Sequence, residues 1–478
     1  MTDLAAELAA LDPTREWAAW QPSASDRWDL PKAGHLLRRA AFAGNWADLQ
    51  AAVAAGPEAA VARLFAGGPG ADEFDRVMDA VAPAASTVRQ PGQPTDPLGV
   101  DLEGWWVHRM VLSPHPLRER MTLFWHNHFA TSISKVKRPD LMRDQNQLFR
   151  THALGKFGPL VQAVSKDPAM LVWLDSNSNV RGKPNENYAR ELMELFCLGV
   201  GNYSEADVRE AARAFTGWHT NAEVDPNRGY NPQVKPAFVF ARSLHDDGPK
   251  TVLGQTGKWD GADVVRVVLA RPACPRFLAR KLYRGFVGEA VTPPDALLQP
   301  LADRLRDTDL DVGDVLKVIF RSRHFYSRFA MRQRVKGPAE FTVGLLRMFD
   351  ARLPAEPVGQ SLSAALQELG QNLFAPPSVK GWDGGEAWLN TATVLARHNL
   401  AWRLLQGASG PHAVRLNPSG PAGADRVGYL LDLMLQPMPG EVDGRVRARL
   451  TEFVGPGGDR RVREAAHAIA TLPLFQMA

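Results

Sequence analysis

Glu191 and Glu194, three residues apart in the segment PNENYARELMELFCLG (184–199), are the side chains whose type and spacing could most readily do chemistry. On a helix, carboxylates at i,i+3 have their Cβ atoms about 5–6 Å apart. Two acids that close repel when ionised. They can share a proton, which raises one pKa, or jointly hold a cation. In a hydrolytic site one glutamate would be the general acid or base and the other would hold water or a metal. The competing expectation is a buried salt-bridge network with Arg209 or Arg213 of the next helix. Glu186 and Arg190, at i,i+4, can satisfy each other. Asn187 shares the glutamate stripe, and Asn187 and Arg190 are the expected substrate contacts on this helix.

Three histidines could complete such a site. His126 and His128 stand two apart in WHNHF (125–129), about 200° apart on a helix, so one ion cannot take both. One of them is expected to be functional. His128 falls on an apolar row with Leu117, Met121 and Phe124, and His126 shares the polar side with Glu119. His245 and Asp246 lie in the turn-rich HDDGP, as a base with its orienting acid or as an additional metal ligand. The alternative there is a tight turn in which Asp246 accepts backbone hydrogen bonds. A divalent metal is the cofactor these residues leave open, with Glu191, Glu194, His128 and His245 as its candidate ligands.

A second metal pattern is DSNSN (175–179), where Asp175, Asn177, Asn179 and Glu186 take positions 1, 3, 5 and 12 of an EF-hand-like loop. Val180 replaces the glycine required at position 6, and an Asn-rich turn bonding nearby backbone is the competing expectation. In KGWDGGEAWLN (380–390), Trp382 and Trp388 sit among glycines that let backbone approach a ligand, with Asn390 and Arg397 following. This loop reads either as a sugar-stacking platform or as a device locking helices together. GxGxxG, P-loop, GxSxG and CxxC patterns are all absent, which argues against nucleotide, serine-hydrolase and redox chemistry.

The elements that must position these residues are mostly helical. Tyr188, Leu192, Leu195 and Phe196 recur on one face, Pro184-Asn185 supplies a start and Gly199 a stop. Ser204 with Asp207 begins the next helix as a capping box, and the short GVGNY link makes the two an αα-hairpin. FVF (238–240) and KTVL (250–253) flank HDDGP and predict a small β-hairpin. The fold class is therefore mainly α: a large multi-helix domain built on αα-hairpins with one small β-hairpin insertion. Residues 1–410 form a single helical domain with the hairpin near 236–256. Residues 411–426 are a Gly/Pro-rich linker, and 427–478 a helical segment packed on the main domain.

With 45% hydrophobic and 23% charged residues among 478, the chain has the composition of an ordinary globular protein with a large core. A net charge of +4 without basic runs argues against nucleic acid. Two cysteines, Cys197 and Cys274, are too few for a disulfide framework. No apolar run reaches membrane-spanning length, and the acidic N-terminus lacks the features of a signal peptide. A cytoplasmic location, or export alongside a partner, is the expectation.

The block PNENYARELMELFCLGVGNYSEADVREAARAFTGW (184–218) resembles the signature of the bacterial family catalogued as domain of unknown function 1800. MTLFWHNHF (121–129), HDDGPKTVLG (245–254) and PPSVKGWDGGEAWLNTATVLARHN (376–399) fit the same pattern in the same order. The likeness runs from about LLRRAAFAG (36–44) to the end of the chain. It implies a mostly helical bacterial protein, with relatives often encoded beside exported sulfatase-like proteins. It assigns no catalytic residue. The functional expectation is a hydrolase-like enzyme with a Glu/His site, metal-assisted or not, acting on a glycan or other polymer. The alternative is a non-catalytic binding or assembly partner of a sulfatase-like protein.

Overall fold

The computed structural model describes residues 4–82, 102–221, 235–353, 359–406, 416, 418, 420 and 425–478. The loop TVRQPGQPTDPLG and most of the 411–426 linker lie outside them. The fold is mainly helical, with two small antiparallel two-stranded sheets among the described residues. Helix starts carry side-chain caps where the sequence offers an acceptor: Asp29, Asn45, Asp167, Asp260 and Asp311 each accept from backbone near the helix start. Ser204 and Asp207 form the expected capping box of Glu205–Ala214.

At the other end of several helices the capping group is a buried or half-buried arginine. Arg39, fully buried, donates to Val287 O (3.1 Å), which closes the helix Ala273–Phe286, and to Ala330 O (2.5 Å). Arg38 and Arg332 donate to Leu435 O at the end of Arg426–Met434. Arg347 donates to Val111 O (2.7 Å) at the end of Leu102–Leu112. The last carbonyls of a helix lack intrahelical donors and carry the negative end of its dipole, so a guanidinium there offsets part of its own desolvation. This accounts for the paired arginines of LLRRAAFAG inside a core.

The expected strand pairing is corrected. Phe238–Phe240 does not pair with the strand after HDDGP. It pairs back with Trp218–Thr220, Val239 opposite His219. Lys250–Val252 instead pairs forward with Gln255–Gly257, forming the β-hairpin, around Leu253 and Gly254. HDDGP is too occupied to act as a hairpin turn. Asp246 binds Arg213, and Lys250 Nζ donates to Asp246 O and Gly248 O.

The C-terminal helices share the core of the rest. Arg463 Nη1 donates to Leu405 O (2.8 Å), Phe475 packs on Phe341 (5.6 Å), and Ala478 N donates to Arg334 O (2.8 Å).

Candidate functional site

Two helices form facing walls. Pro116–His128 begins with Pro116, a residue already suited to the first turn. Arg120, Leu123, Phe124, Asn127 and His128 recur at i, i+3/i+4 and i+7/i+8, hence on one face. On Ala273–Phe286, Phe277, Arg280, Lys281, Arg284 and Gly285 follow the same spacing. Both faces line one cleft of about 360 Å³. The walls lie close at Gly285, where a Cβ would come within 2.9 Å of the Phe124 ring.

WHNHF joins three other segments to this frame, each through one side chain. His126, buried, accepts at Nε2 from Phe374 N (3.1 Å) and packs its ring on Trp106 and Trp382. Burial alone lowers its pKa to about 3, so it is neutral across the working range. Asn127 Oδ1 accepts from Trp382 N (2.7 Å). That loop can close down only because Gly381, at φ +81°, has no Cβ; one would fall 2.3 Å from Asn127 Oδ1 and 2.4 Å from Asn127 O. His128 Nε2 lies 3.0 Å from Phe196 O. A ring nitrogen facing a carbonyl must carry the hydrogen, so Nδ1 is the acceptor. Nδ1 is buried and has no partner among the described residues. Burial first, and the charge of Lys281 second, hold His128 well below the usual histidine range.

The signature segment is helical as expected, but not α-helical throughout. Asn185 Oδ1 accepts from Asn187 N (2.9 Å) at the start, and Asn187–Glu191 is α. Leu192–Cys197 then widens into π-helix, with Leu198 N donating five residues back to Met193 O (2.9 Å). Such widened turns are rare and concentrate at functional sites. Gly199, at φ +82°, ends the segment against the Phe277 ring.

Its charged residues divide as the sequence suggests. Arg190 binds Glu186 (2.9 Å) and Glu205 (2.8 Å). Glu194 accepts from the Tyr203 hydroxyl (2.7 Å). Half-buried Glu191 has no ion pair or hydrogen bond among the described residues, and burial, with Glu194 adding to it, raises its pKa. Arg213 does not cover this pair; it binds Glu210 and Asp246.

Several other candidates are engaged locally. His245 Nδ1 lies 2.9 Å from Thr216 O, and Asp246 accepts from Arg213 Nε (2.8 Å) and Gly248 N (2.9 Å), so the acid does not orient the histidine. Asp175 binds Lys135 (2.8 Å), Asn177 bonds Thr220, Asn179 donates to Ala212 O (3.0 Å), and Glu186 is held by Arg190. The four thus form an Asn-rich turn whose side chains point to separate partners. Among the described residues no three His, Cys, Asp or Glu side chains group to hold a metal ion, and Glu191, Glu194, His128 and His245 do not gather into one cluster. Asn390 caps its helix by accepting from Thr393 N (3.0 Å). Buried Arg397 donates to Lys336 O (2.7 Å) and Gln476 Oε1 (3.1 Å). Of the expected site residues, the cleft collects His128, Trp382 and Trp388. Glu191, Glu194, His126 and His245 are not among its lining residues.

The residues sequence reading missed are basic. Arg120, Arg280, Lys281, Arg284, Arg334 and Lys380 line the cleft against Glu289, Glu340 and Asp383. Arg120 (2.5 Å) and Arg334 (2.9 Å) hold Glu340 at the floor, well below the usual carboxylate range despite its burial. Lys380 pairs with Asp383 (2.7 Å), and Arg280 with Asp295 outside. Half-buried Lys281 has no acidic partner among the described residues, and its Nζ lies 5.2 Å from the Phe277 ring centre. Burial, then Arg284 and Lys380, lower its pKa to about 8. A same-face stripe of Arg276, Arg280 and Arg284 beside Phe277 was visible in RFLARKLYRGF, but such stripes usually mark a solvated helix face.

The cleft is built from WHNHF, the end of the signature segment and the KGWDGGEAW loop, and the family comparison gives these blocks their common frame. The chain belongs to the DUF1800 family, proteins of unknown function. The family model matches residues 35–477. No curated protein and no solved structure matches the chain. Among the described residues, no helix is long and apolar enough to cross a membrane.

Proposed function

We propose that this DUF1800 protein binds an anionic ligand in the cleft between Pro116–His128 and Ala273–Phe286. The observation that carries the reading is Lys281, a half-buried ammonium in the cleft wall that has no acidic partner among the described residues and shares the cleft with Arg284 and Lys380. Holding an unpartnered cation out of water is unfavourable, and an anion entering the cleft removes that penalty. Phe124, Phe277, Trp382 and Trp388 give the same cleft apolar walls, suited to a ligand with an apolar or ring-shaped body.

Calorimetric titration with inorganic phosphate tests this. Binding should weaken with added salt, and Lys281→Gln or Arg284→Gln should lower affinity about tenfold or more, as loss of a charge-assisted contact does. Absence of binding, or binding indifferent to both substitutions, refutes the reading.

Glycan hydrolysis through Glu191 and Glu194 is the second reading, supported by the raised, unpartnered Glu191 carboxyl on a half-buried face. It requires turnover of a polysaccharide that Glu191→Gln abolishes and Lys281→Gln spares.

A further inference from the structure

We propose that Lys281 is a nucleophilic amine that condenses with the carbonyl group of a small oxo acid held in the cleft; this rests on the anion-binding reading above. The geometry supplies the parts. Lys281 lies on the same helix face as Arg284 and Phe277, with its Nζ 5.2 Å from the Phe277 ring centre, and Arg284 Nη2 donates to Asp383 O (2.7 Å) across the cleft. Every carboxylate in the cleft is engaged elsewhere: Glu340 by Arg120 and Arg334, Asp383 by Lys380, and Glu289 by Val335 N (3.0 Å) and Arg334 (3.8 Å). None is left to pin Lys281 as a salt bridge. The other charged and titratable groups lining the cleft from other elements are His128 and Arg120 on the opposite wall, Glu289, Arg334 and Glu340, and Lys380 and Asp383 from the glycine-rich loop.

An amine desolvated beside other cations is the arrangement that makes lysine a nucleophile near neutral pH. With its pKa at about 8, roughly a tenth of Lys281 is free base at pH 7, against well under a thousandth at the ordinary lysine value. Beyond the bond to Asp383 O, Arg284 has further N–H groups for a ligand carboxylate, which would set an adjacent carbonyl carbon near Nζ. 2-Oxo acids carry both groups on adjacent carbons. In the step, the Nζ lone pair forms a C–N bond as the carbonyl π pair moves to oxygen, which is protonated. The carbinolamine then loses that oxygen as water while the remaining N–H proton returns to solvent, leaving an imine. Net, one water is released and nothing is oxidised or reduced.

The test is reductive trapping on the full-length protein. Glyoxylate is added with cyanoborohydride, which delivers hydride to the imine carbon and fixes it as a secondary amine, and adducts are located by peptide mass spectrometry. At pH 7.5 Lys281 should label at least tenfold faster than the average of the other lysines. Inorganic phosphate should slow it, and uncharged propanal, which gains from the free amine but not from the guanidinium, should show a clearly smaller preference for it. Lys281→Arg should remove that adduct and leave the others; the wild-type comparison among lysines stands whether or not the variant folds. Uniform labelling overturns the proposal, as does equal preference for propanal. Phosphate binding without enrichment at Lys281 defeats the nucleophile and leaves the anion site standing. Neither phosphate binding nor enrichment defeats both.

Discussion

Asp167 should make this protein lose stability as pH rises from acid to neutral, opposite to the usual behaviour of a paired carboxylate. Its carboxyl caps the helix Pro168–Trp173, Oδ2 accepting from Met170 N (2.9 Å) and Gln145 Nε2 (2.6 Å). Among the described residues no cation pairs with it. Burial, with a smaller contribution from Asp144, pushes its pKa from 3.8 up to about 7. A carboxyl raised on folding binds its proton more tightly in the native state. Its stabilising contribution is therefore complete below 3.8 and falls away as pH rises through about 7. A shift of about three units at about 1.36 kcal/mol each gives a loss of about 4 kcal/mol across that window. That is a large share of a typical folding free energy of about 5–15 kcal/mol.

The assay is urea unfolding of wild type and Asp167→Asn at half-unit steps from pH 4 to 8. Asparagine is shaped like the neutral acid and can keep the acceptor for Met170 N, so it cannot ionise but still caps. Subtracting the two curves removes every other titrating group. The difference should swing by about 4 kcal/mol in favour of the variant between pH 4 and 8. A difference curve flat to within about 0.5 kcal/mol over that window refutes the reasoning, because the carboxyl then titrates alike folded and unfolded.

Other expectations concern the frame of the cleft. Gly381→Ala should weaken ligand binding and raise Trp382 fluorescence accessibility to quenchers. The left-handed backbone costs about 1–2 kcal/mol for a residue with Cβ, and the collision with Asn127 forces the loop off its anchor; an unchanged quenching profile counts against this. Glu119 is fully buried between Arg150 (2.7 Å) and Arg109 (3.4 Å) and its pKa is lowered to about 2, chiefly by Arg150 against the opposing effect of burial. Glu119→Gln leaves buried Arg150 without its anion, while Arg109 keeps Asp75 and Asp79, and should cost about 3–5 kcal/mol in chemical unfolding. Tyr203→Phe removes the hydroxyl held by Glu194 and should cost about 1 kcal/mol, measured the same way, with no change in phosphate affinity.

How far the sequence discloses this protein depends on whether each signal is local. The capping box at Ser204–Asp207, the stop at Gly199 and the Glu186–Arg190 pair are all satisfied within a turn or two of chain, and each is found where periodicity and cap chemistry put it. The π-helical turns of Leu192–Cys197 are not local in that sense. Nothing in LMELFC distinguishes a 3.6-residue repeat from a wider one, and the choice is made by packing against neighbouring helices. The same holds for Phe238–Phe240, whose partner strand lies eighteen residues upstream at Trp218–Thr220 and not across the nearest turn. For the site the divide is sharper. WHNHF announces chemistry by its residue types, yet His126 and Asn127 serve as anchors whose partners, Phe374 N and Trp382 N, lie some 250 residues away. Lys281 announces nothing. A lysine among arginines on an amphipathic helix reads as solvated surface until a second helix supplies Phe124 and His128 opposite it and the nearby carboxylates prove to be taken. Its chemistry belongs to the juxtaposition of two walls that meet only in the folded chain.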